Sequence, residues 1–219
     1  MIRLQNLCKT YRIKGRVTRV ADDITHTLPS RKSIALLGRN GAGKSSLLRM
    51  IAGTMDPDSG RVITRGTISW PIGFAGSFHG DLSGAQNARF VGRIYGVDTD
   101  ALVDSVQAFA ELGQHFHLPV RTYSAGMKSR LAFGVSMGIP FDTYLVDEVT
   151  SVGDAAFRDK STKVFEDRMA GSGAIVVSHG LELVQRLCEH AIVLHDGKLY
   201  YHTSVGDGIA HHRQLMRVD

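Results

Sequence analysis

Residues Gly38 to Ser45 read GRNGAGKS, a full match to the pattern G-x-x-x-x-G-K-[ST]. The flanks agree with it. Ser33 to Leu37 (SIALL) is a short apolar run that predicts a buried strand. Lys44 to Ala52 carries Leu47, Leu48 and Ile51 at helical spacing, and Gly53 ends it. Glycines between a strand and a helix let the backbone curl so that successive N–H groups point inward around an anion. The helix start adds the positive end of its dipole. Lys44 supplies charge to β- and γ-phosphates, and the Ser45 hydroxyl suits Mg²⁺. The loop points to a nucleoside triphosphate without saying what is done with it.

A second element narrows the chemistry. Tyr144 to Glu148 (YLVDE) is an apolar strand that ends in two acids, and strand ends are where open α/β sheets bind ligands. Asp147 is placed to hold Mg²⁺ through its water shell. Glu148 points elsewhere and can polarise a water toward the γ-phosphate, a group that a hydrolase needs and a kinase does not. Taken alone, the pair is equally readable as two solvated acids.

Working outward, Met1 to Leu7 reads as a strand. A basic stretch follows, with Lys9, Arg12, Lys14, Arg16 and Arg19 and no acid before Asp22; as a charge run it is first of all a solvated hairpin. Residues 61–78 look like short strands broken by glycine. Residues 85–95, 100–112, 125–138, 155–169 and 181–188 read as helices, and 143–146 and 174–178 as buried strands. Residues 191–195 and 198–201 flank Asp196-Gly197, a two-residue hairpin signal. Short apolar strands alternating with helices predict an α/β fold with a mostly parallel sheet covered on both faces.

Composition sets bounds. The chain has 219 residues, 43% hydrophobic and 21% charged, which suits one globular domain and argues against wholesale disorder. Lys plus Arg is 26 and Asp plus Glu is 21, a net charge of +5; this favours an anionic ligand or surface without requiring nucleic acid. Glycine is in excess, 24 residues, with no collagen period. Cys8 and Cys188 have no framework spacing, so a reducing compartment is the simpler expectation. No secretory leader is expected in MIRLQNLCKTYR, and the uncharged stretch Gly66–Gly80 is too short and too glycine-rich to span a bilayer.

Ser124-Ala125-Gly126 stands at a helix start within TYSAGMKSRLAFG, 23 residues before Asp147. On its own this is an ordinary capped helix. At that spacing it resembles the L-S-G-G-Q signature of the nucleotide-binding subunits of ATP-binding cassette transporters. Ser124 and Gly126 match; Tyr123, Ala125 and Met127 depart. Other motifs fall in the family's order. Ser151-Val152-Gly153-Asp154 looks like the D-loop. His179, 31 residues after Glu148, looks like the switch histidine. Tyr11 looks like the aromatic that stacks on adenine. Each of these alone reads as a structural residue; in this order they carry the resemblance, which runs from Tyr11 to the hairpin at Asp196.

The resemblance implies a P-loop nucleotide-binding domain over residues 1–219. Its parts would be a mostly parallel central sheet, a small N-terminal antiparallel β part and a helical subdomain at about 80–140. It implies two copies pairing head to tail with ATP sandwiched between them. Tyr11, Gly38, Asn40, Gly41, Ala42, Gly43, Lys44, Ser45 and Ser46 would bind ATP from one copy. Ser124, Gly126 and Asp154 would complete the site from the other. Lys44, Glu148 and His179 would carry hydrolysis, and Ser45 and Asp147 would hold Mg²⁺. The motion would be delivered to a separate integral membrane permease at the cytoplasmic face of the inner membrane. ISWPIGFAGSFHGDLSGAQNARFVGRIYG (68–96) is similar to the ATPases that export capsular polysaccharide in Gram-negative bacteria, and DEVTSVGDAAF (147–157) to the wider group that exports cell-surface glycans, including O-antigen and teichoic-acid systems. A soluble cassette ATPase acting on DNA or ribosomes, or a small-molecule P-loop kinase, fits less well. The first class usually has a long insertion or two cassettes; the second has no need of the signature element. His115-x-His117, Cys188-x-His190 and His211-His212 form no four-ligand metal set.

One position departs from the family's pattern. Where the family has a glutamine that touches Mg²⁺ and the membrane partner, the matching residue is His79. Imidazole is a poorer Mg²⁺ ligand than an amide oxygen, so the signalling role is the one expected to survive. His79→Gln is expected to leave ATP affinity nearly unchanged in equilibrium nucleotide titration; a large loss of binding would overturn this reading.

Overall fold

The computed structural model describes residues 1–13, 16–72, 78–147, 155–178 and 180–218. The chain opens with two long strands, β1 (Ile2–Ile13) and β2 (Arg16–Leu28), paired antiparallel. β1 outruns the expected 1–7 because pairing with β2 carries the strand on through Lys9, Thr10, Tyr11 and Arg12. β4 (Ser59–Thr64) pairs with the other edge of β1, giving the sheet order β2-β1-β4. Asn6 and Asp23 both have positive φ, 48° and 56°, where the register shifts. The Asn6 amide donates to the Asp23 carboxylate at 2.9 Å, so the two irregular residues hold each other.

A six-stranded sheet has the order β5-β6-β7-β3-β8-β9, with β3 Ser33–Leu37, β5 Ile68–Ile72, β6 Thr143–Asp147, β7 Gly173–Val177, β8 His190–His195 and β9 Lys198–His202. β6, β7, β3 and β8 run parallel; β9 returns antiparallel from β8. The turn between β8 and β9 is Asp196-Gly197, with φ of 47° and 75°, the double positive that a two-residue hairpin asks for. β3 and β7 are buried at every position, as expected of strands inside a parallel sheet.

Helix α1 (Lys44–Ile51) joins the two sheets in one core. Its Leu47, Leu48, Met50 and Ile51 pack with Leu4, Leu7 and Ile24 of the first sheet and with Ile34, Leu36, Leu145, Ile175 and Ile192 of the second. Helix α6 is Leu181–Leu187 and helix α7 is Val205–Val218. Two glycines in α7 hide it from a periodicity reading, and one has a packing reason: a Cβ on Gly208 would lie 2.2 Å from the Cβ of Ala191 on β8. These elements make up one compact unit, Met1–Pro71, Phe141–Glu148 and Met169–Asp219.

The second unit is Ile72–Pro140 and Val149–Arg168. It is helical: α2 (Gly84–Tyr95), α3 (Thr99–Ala110), two short 3-10 turns at Gly113–His117 and Val120–Thr122, α4 (Ala125–Gly138) and most of α5 (Ala155–Gly171). Ser83 and Gln86 form a capping box on α2, and Asp98 caps α3. α3 closes tightly on α4, where a Cβ on Gly138 would lie 2.4 Å from Leu102 Cδ1. Phe109 stacks on Phe133 with ring centroids 5.4 Å apart. Among the described residues no helix is long and apolar enough to cross a membrane.

In the first unit, Asp142 pins the residue before β5. It accepts from the Thr67 amide at 2.8 Å and the Thr67 hydroxyl at 3.0 Å, while its own amide donates to that hydroxyl. These bonds hold its carboxyl below the ordinary 3.8. A depressed carboxylate stabilises the fold above its unfolded value and loses that increment as pH falls through the folded one. Asp142→Asn is therefore expected to be less stable than wild type at pH 7 in denaturant titration, and the gap should narrow as pH falls below the ordinary carboxylate value.

Candidate nucleotide site

The glycine-rich loop leaves the buried end of β3 at Gly38. A Cβ there would meet the Leu194 carbonyl oxygen of β8 at 2.5 Å, so the loop begins where no side chain fits. Gly41 and Gly43 have φ of 82° and 100°, the left-handed region that glycine tolerates. Gly43 is also the N-cap of α1, with no side-chain cap. The first helical bond runs from the Leu47 amide to the Gly43 carbonyl at 2.9 Å, so the earlier amides of the helix have no intrahelical acceptor. The Lys44 ammonium bends back over the loop and donates to the carbonyls of Gly38 at 2.7 Å and Arg39 at 2.9 Å.

A cleft of about 590 Å³ opens at this loop. It is lined by Asn40, Gly41, Gly43, Lys44, Ser45 and Ser46, by Asp147 at the end of β6, and by Tyr11, Thr18 and Val20 of the β1–β2 hairpin. Three separately read features, the phosphate loop, the strand-end acid and the aromatic, thus share one cavity. Tyr11 is held in place: its hydroxyl lies 3.2 Å from Ser46 Oγ and 3.2 Å from Met55 Sδ. Thr18 is its cross-strand partner. Thr18 and Val20 went unnoticed in the sequence, because placing them needs the hairpin register. The polar lining suits Mg²⁺: a serine hydroxyl and a carboxylate beside a lysine, with no imidazole or thiolate among the described lining residues.

The signature residues belong to the helical unit. Ser124 caps α4 and accepts from the Met127 amide at 3.2 Å. Ser124, Ala125 and Gly126 are exposed, and among the described residues a Cβ on Gly126 would come within 4 Å of Ser124 Oγ alone, at 3.9 Å. Tyr123, just before, is buried. His79 is exposed, and its Nδ1 accepts from the Asp81 amide at 3.3 Å. Its backbone is gripped by buried Asn87, which accepts from the His79 amide at 2.9 Å and donates to the His79 carbonyl at 3.1 Å. Sequence reasoning missed this hold of Asn87 on His79, since a buried asparagine looks like any helical polar residue. Glu148, Asp154 and His179 lie outside the described residues.

Gly43 offers a test of the loop. A Cβ there would sit 2.0 Å from Val20 Cγ1 and would also carry the strain of its φ. Gly43→Ala is expected to weaken ATP binding by at least about tenfold, the order of a 1–3 kcal/mol strain at a ligand clamp. Adding Val20→Ala should recover only part of it in the same titration, since the backbone strain remains.

An ABC transporter family model matches residues 21–151. The chain is 46% identical to the polysialic acid transport ATP-binding protein KpsT of Escherichia coli, over 100% of this chain and 99% of that one. It is 41% identical to the capsule polysaccharide export ATP-binding protein CtrD of Neisseria meningitidis serogroup B, over 91% and 93%. Four relatives named for O-antigen export, from Myxococcus xanthus, Klebsiella pneumoniae and Yersinia enterocolitica, are 32–39% identical over 80–85% of this chain. The fold is similar to that of an ATP-binding cassette solved as a dimer in a post-hydrolysis state with ADP and Pi. That match has a TM-score of 0.77 at 19% identity and covers 94% of this chain and 99% of the other. A phosphate loop, a strand-end carboxylate and an aromatic in one cleft, on a chain with these relatives, lead to one conclusion: the protein belongs to the ABC transporter family and is an ATPase of that family.

Proposed function

We propose that this chain is the ATP-hydrolysing subunit of a capsular-polysaccharide exporter, driving a separate integral membrane subunit from the cytoplasmic face of the inner membrane. The observation that carries the glycan class is the near-full-length similarity to proteins named for polysialic acid transport and capsule polysaccharide export, at 41–46% identity. The O-antigen relatives match less closely and over less of this chain.

The mechanism follows from the residues. Tyr11 gives the adenine ring a flat partner, with its hydroxyl anchored so that the ring cannot swing away from the loop. The loop amides and Lys44 take the phosphates. On binding, the Lys44 ammonium exchanges its loop carbonyls for phosphate oxygens, a trade of neutral acceptors for charged ones that favours the anion. Ser45 and Asp147 would hold Mg²⁺, which supplies charge neutralisation at the β- and γ-phosphates. Glu148 orients and deprotonates the attacking water, and His179 holds it against the γ-phosphate. Ser124 and Gly126 of a second copy, beside an open helix start, supply donors to the same phosphates. Asp154 acts at the same interface. ATP then bridges two copies, and its hydrolysis releases them. His79 relays that change to the membrane subunit.

Glu148→Gln is expected to slow ATP turnover by about 10²- to 10⁴-fold while retaining Mg-ATP in a stable dimer, read by phosphate release and by sedimentation. Unchanged hydrolysis would remove Glu148 from its role. For the export reading, deletion of the gene should leave capsular polymer inside the cell and none at the surface; normal surface capsule would refute it.

A further inference from the structure

Two separate stretches of the helical unit are laced together. The Arg121 amide donates to the Gly80 carbonyl at 2.8 Å and the Val120 amide to the Leu82 carbonyl at 2.9 Å. Ser83 and Pro119 form an antiparallel bridge, and the Arg121 guanidinium pairs with the Asp81 carboxylate. Asn87 closes one end of this lacing by gripping both backbone groups of His79.

Tyr123 closes the other end. It is 5% exposed. Its hydroxyl donates to the His115 carbonyl at 2.6 Å and accepts from the Gly84 amide at 3.2 Å. Gly84 is the first residue of α2, so this bond satisfies an amide that has no helical acceptor. Gly84 also makes the room: a Cβ there would lie 2.7 Å from the Tyr123 hydroxyl and 2.9 Å from Phe116. The family's pattern has leucine at this position. Leucine would fill a similar space but would hold it without direction. A phenol with two hydrogen bonds fixes the backbone in one orientation: the buried Gly84 amide has the hydroxyl as its acceptor and would be left unsatisfied without it, while the His115 carbonyl, which also accepts from the Leu118 amide, gives the hydroxyl its direction.

We propose that Tyr123 is a positioning residue. Its buried hydroxyl ties Ser124 and Gly126, which begin one residue later, to the segment that carries His79. The element that completes the ATP site of a second copy then moves as one piece with the element assigned to the membrane subunit. A change of position at either end is carried to the other through the lacing, without rearrangement of the nucleotide cleft itself. This rests on the ATP-sandwich reading given above.

The test separates positioning from folding by where the effect falls. ATP binding to the single chain uses residues of the other unit, so Tyr123→Phe is expected to keep the ATP dissociation constant within about twofold. In the Glu148→Gln background, the Mg-ATP concentration at half-dimerisation should rise about fivefold to tenfold, the order expected for a lost buried hydrogen bond. With Glu148 in place, kcat should fall by a similar factor. The Gly84 amide should exchange with deuterium faster. Tyr123→Leu should behave like Tyr123→Phe. If Tyr123→Phe dimerises and turns over as wild type does, the proposal is wrong. If it loses its fold, Asp81→Asn loosens the same lacing from the surface and should shift the dimer midpoint the same way by about twofold, the scale of an exposed ion pair; no shift there would also overturn the proposal. Failure of the Glu148→Gln protein to dimerise with Tyr123 intact would instead sink the sandwich reading, and the proposal with it.

Discussion

Helix α1 is eight residues long, and four of them are buried between two sheets. That burial is the constraint on which the nucleotide cleft depends. An isolated helix of this length is unstable in water, so α1 exists because Leu47, Leu48, Met50 and Ile51 have apolar surface to pack against on both sides. Packing fixes the helix axis and therefore its first turn. Lys44, Ser45 and Ser46 are that first turn. The phosphate loop needs no side chain to cap the helix and leaves the amides of its start to a ligand, since the hydrophobic core already holds the helix in place.

The other parts of the cleft are attached to the same core. Asp147 ends β6, whose Leu145 packs in it, and Tyr11 comes from the strand that contributes Leu4 and Leu7. The contact between the Tyr11 hydroxyl and Ser46 then links the aromatic and the phosphate loop directly. Residues far apart in the chain meet because each stands within a few residues of an anchor in a single apolar cluster.

Much of this was legible in the sequence where chemistry and period coincide. SIALL, GRNGAGKS and YLVDE declare a strand, a loop and a strand end, and Asp196-Gly197 declares a hairpin; each is a local rule satisfied locally. Elements whose reasons are tertiary were not legible. The outer half of β1 and much of β2 carry polar and basic residues whose strand state is decided by pairing. Helix α7 has glycines where a propensity argument wants none, and Gly208 is there because Ala191 lies underneath. Tyr123 could be seen to depart from the family's pattern, but its meaning depends on Gly84 and His115, far off in the chain. Asn87 is legible only once His79 is known to lie against it.

The paired irregularity at Asn6 and Asp23 has a consequence for the far end of the hairpin. Along β1 the buried side chains are Ile2 and Leu4, then Leu7. The count passes from even to odd at Asn6, and Tyr11 inherits the odd phase that places it on the cleft. The bulge therefore works as a parity switch. A residue added or removed between Leu7 and Tyr11 would turn the aromatic to the opposite face, whereas loss of the extra residue at Asn6 would restore plain alternation and leave both leucines and the aromatic on one face. Changes of chain length that keep the cleft intact are therefore of even number between Leu7 and Tyr11, and of either parity only at the bulge itself.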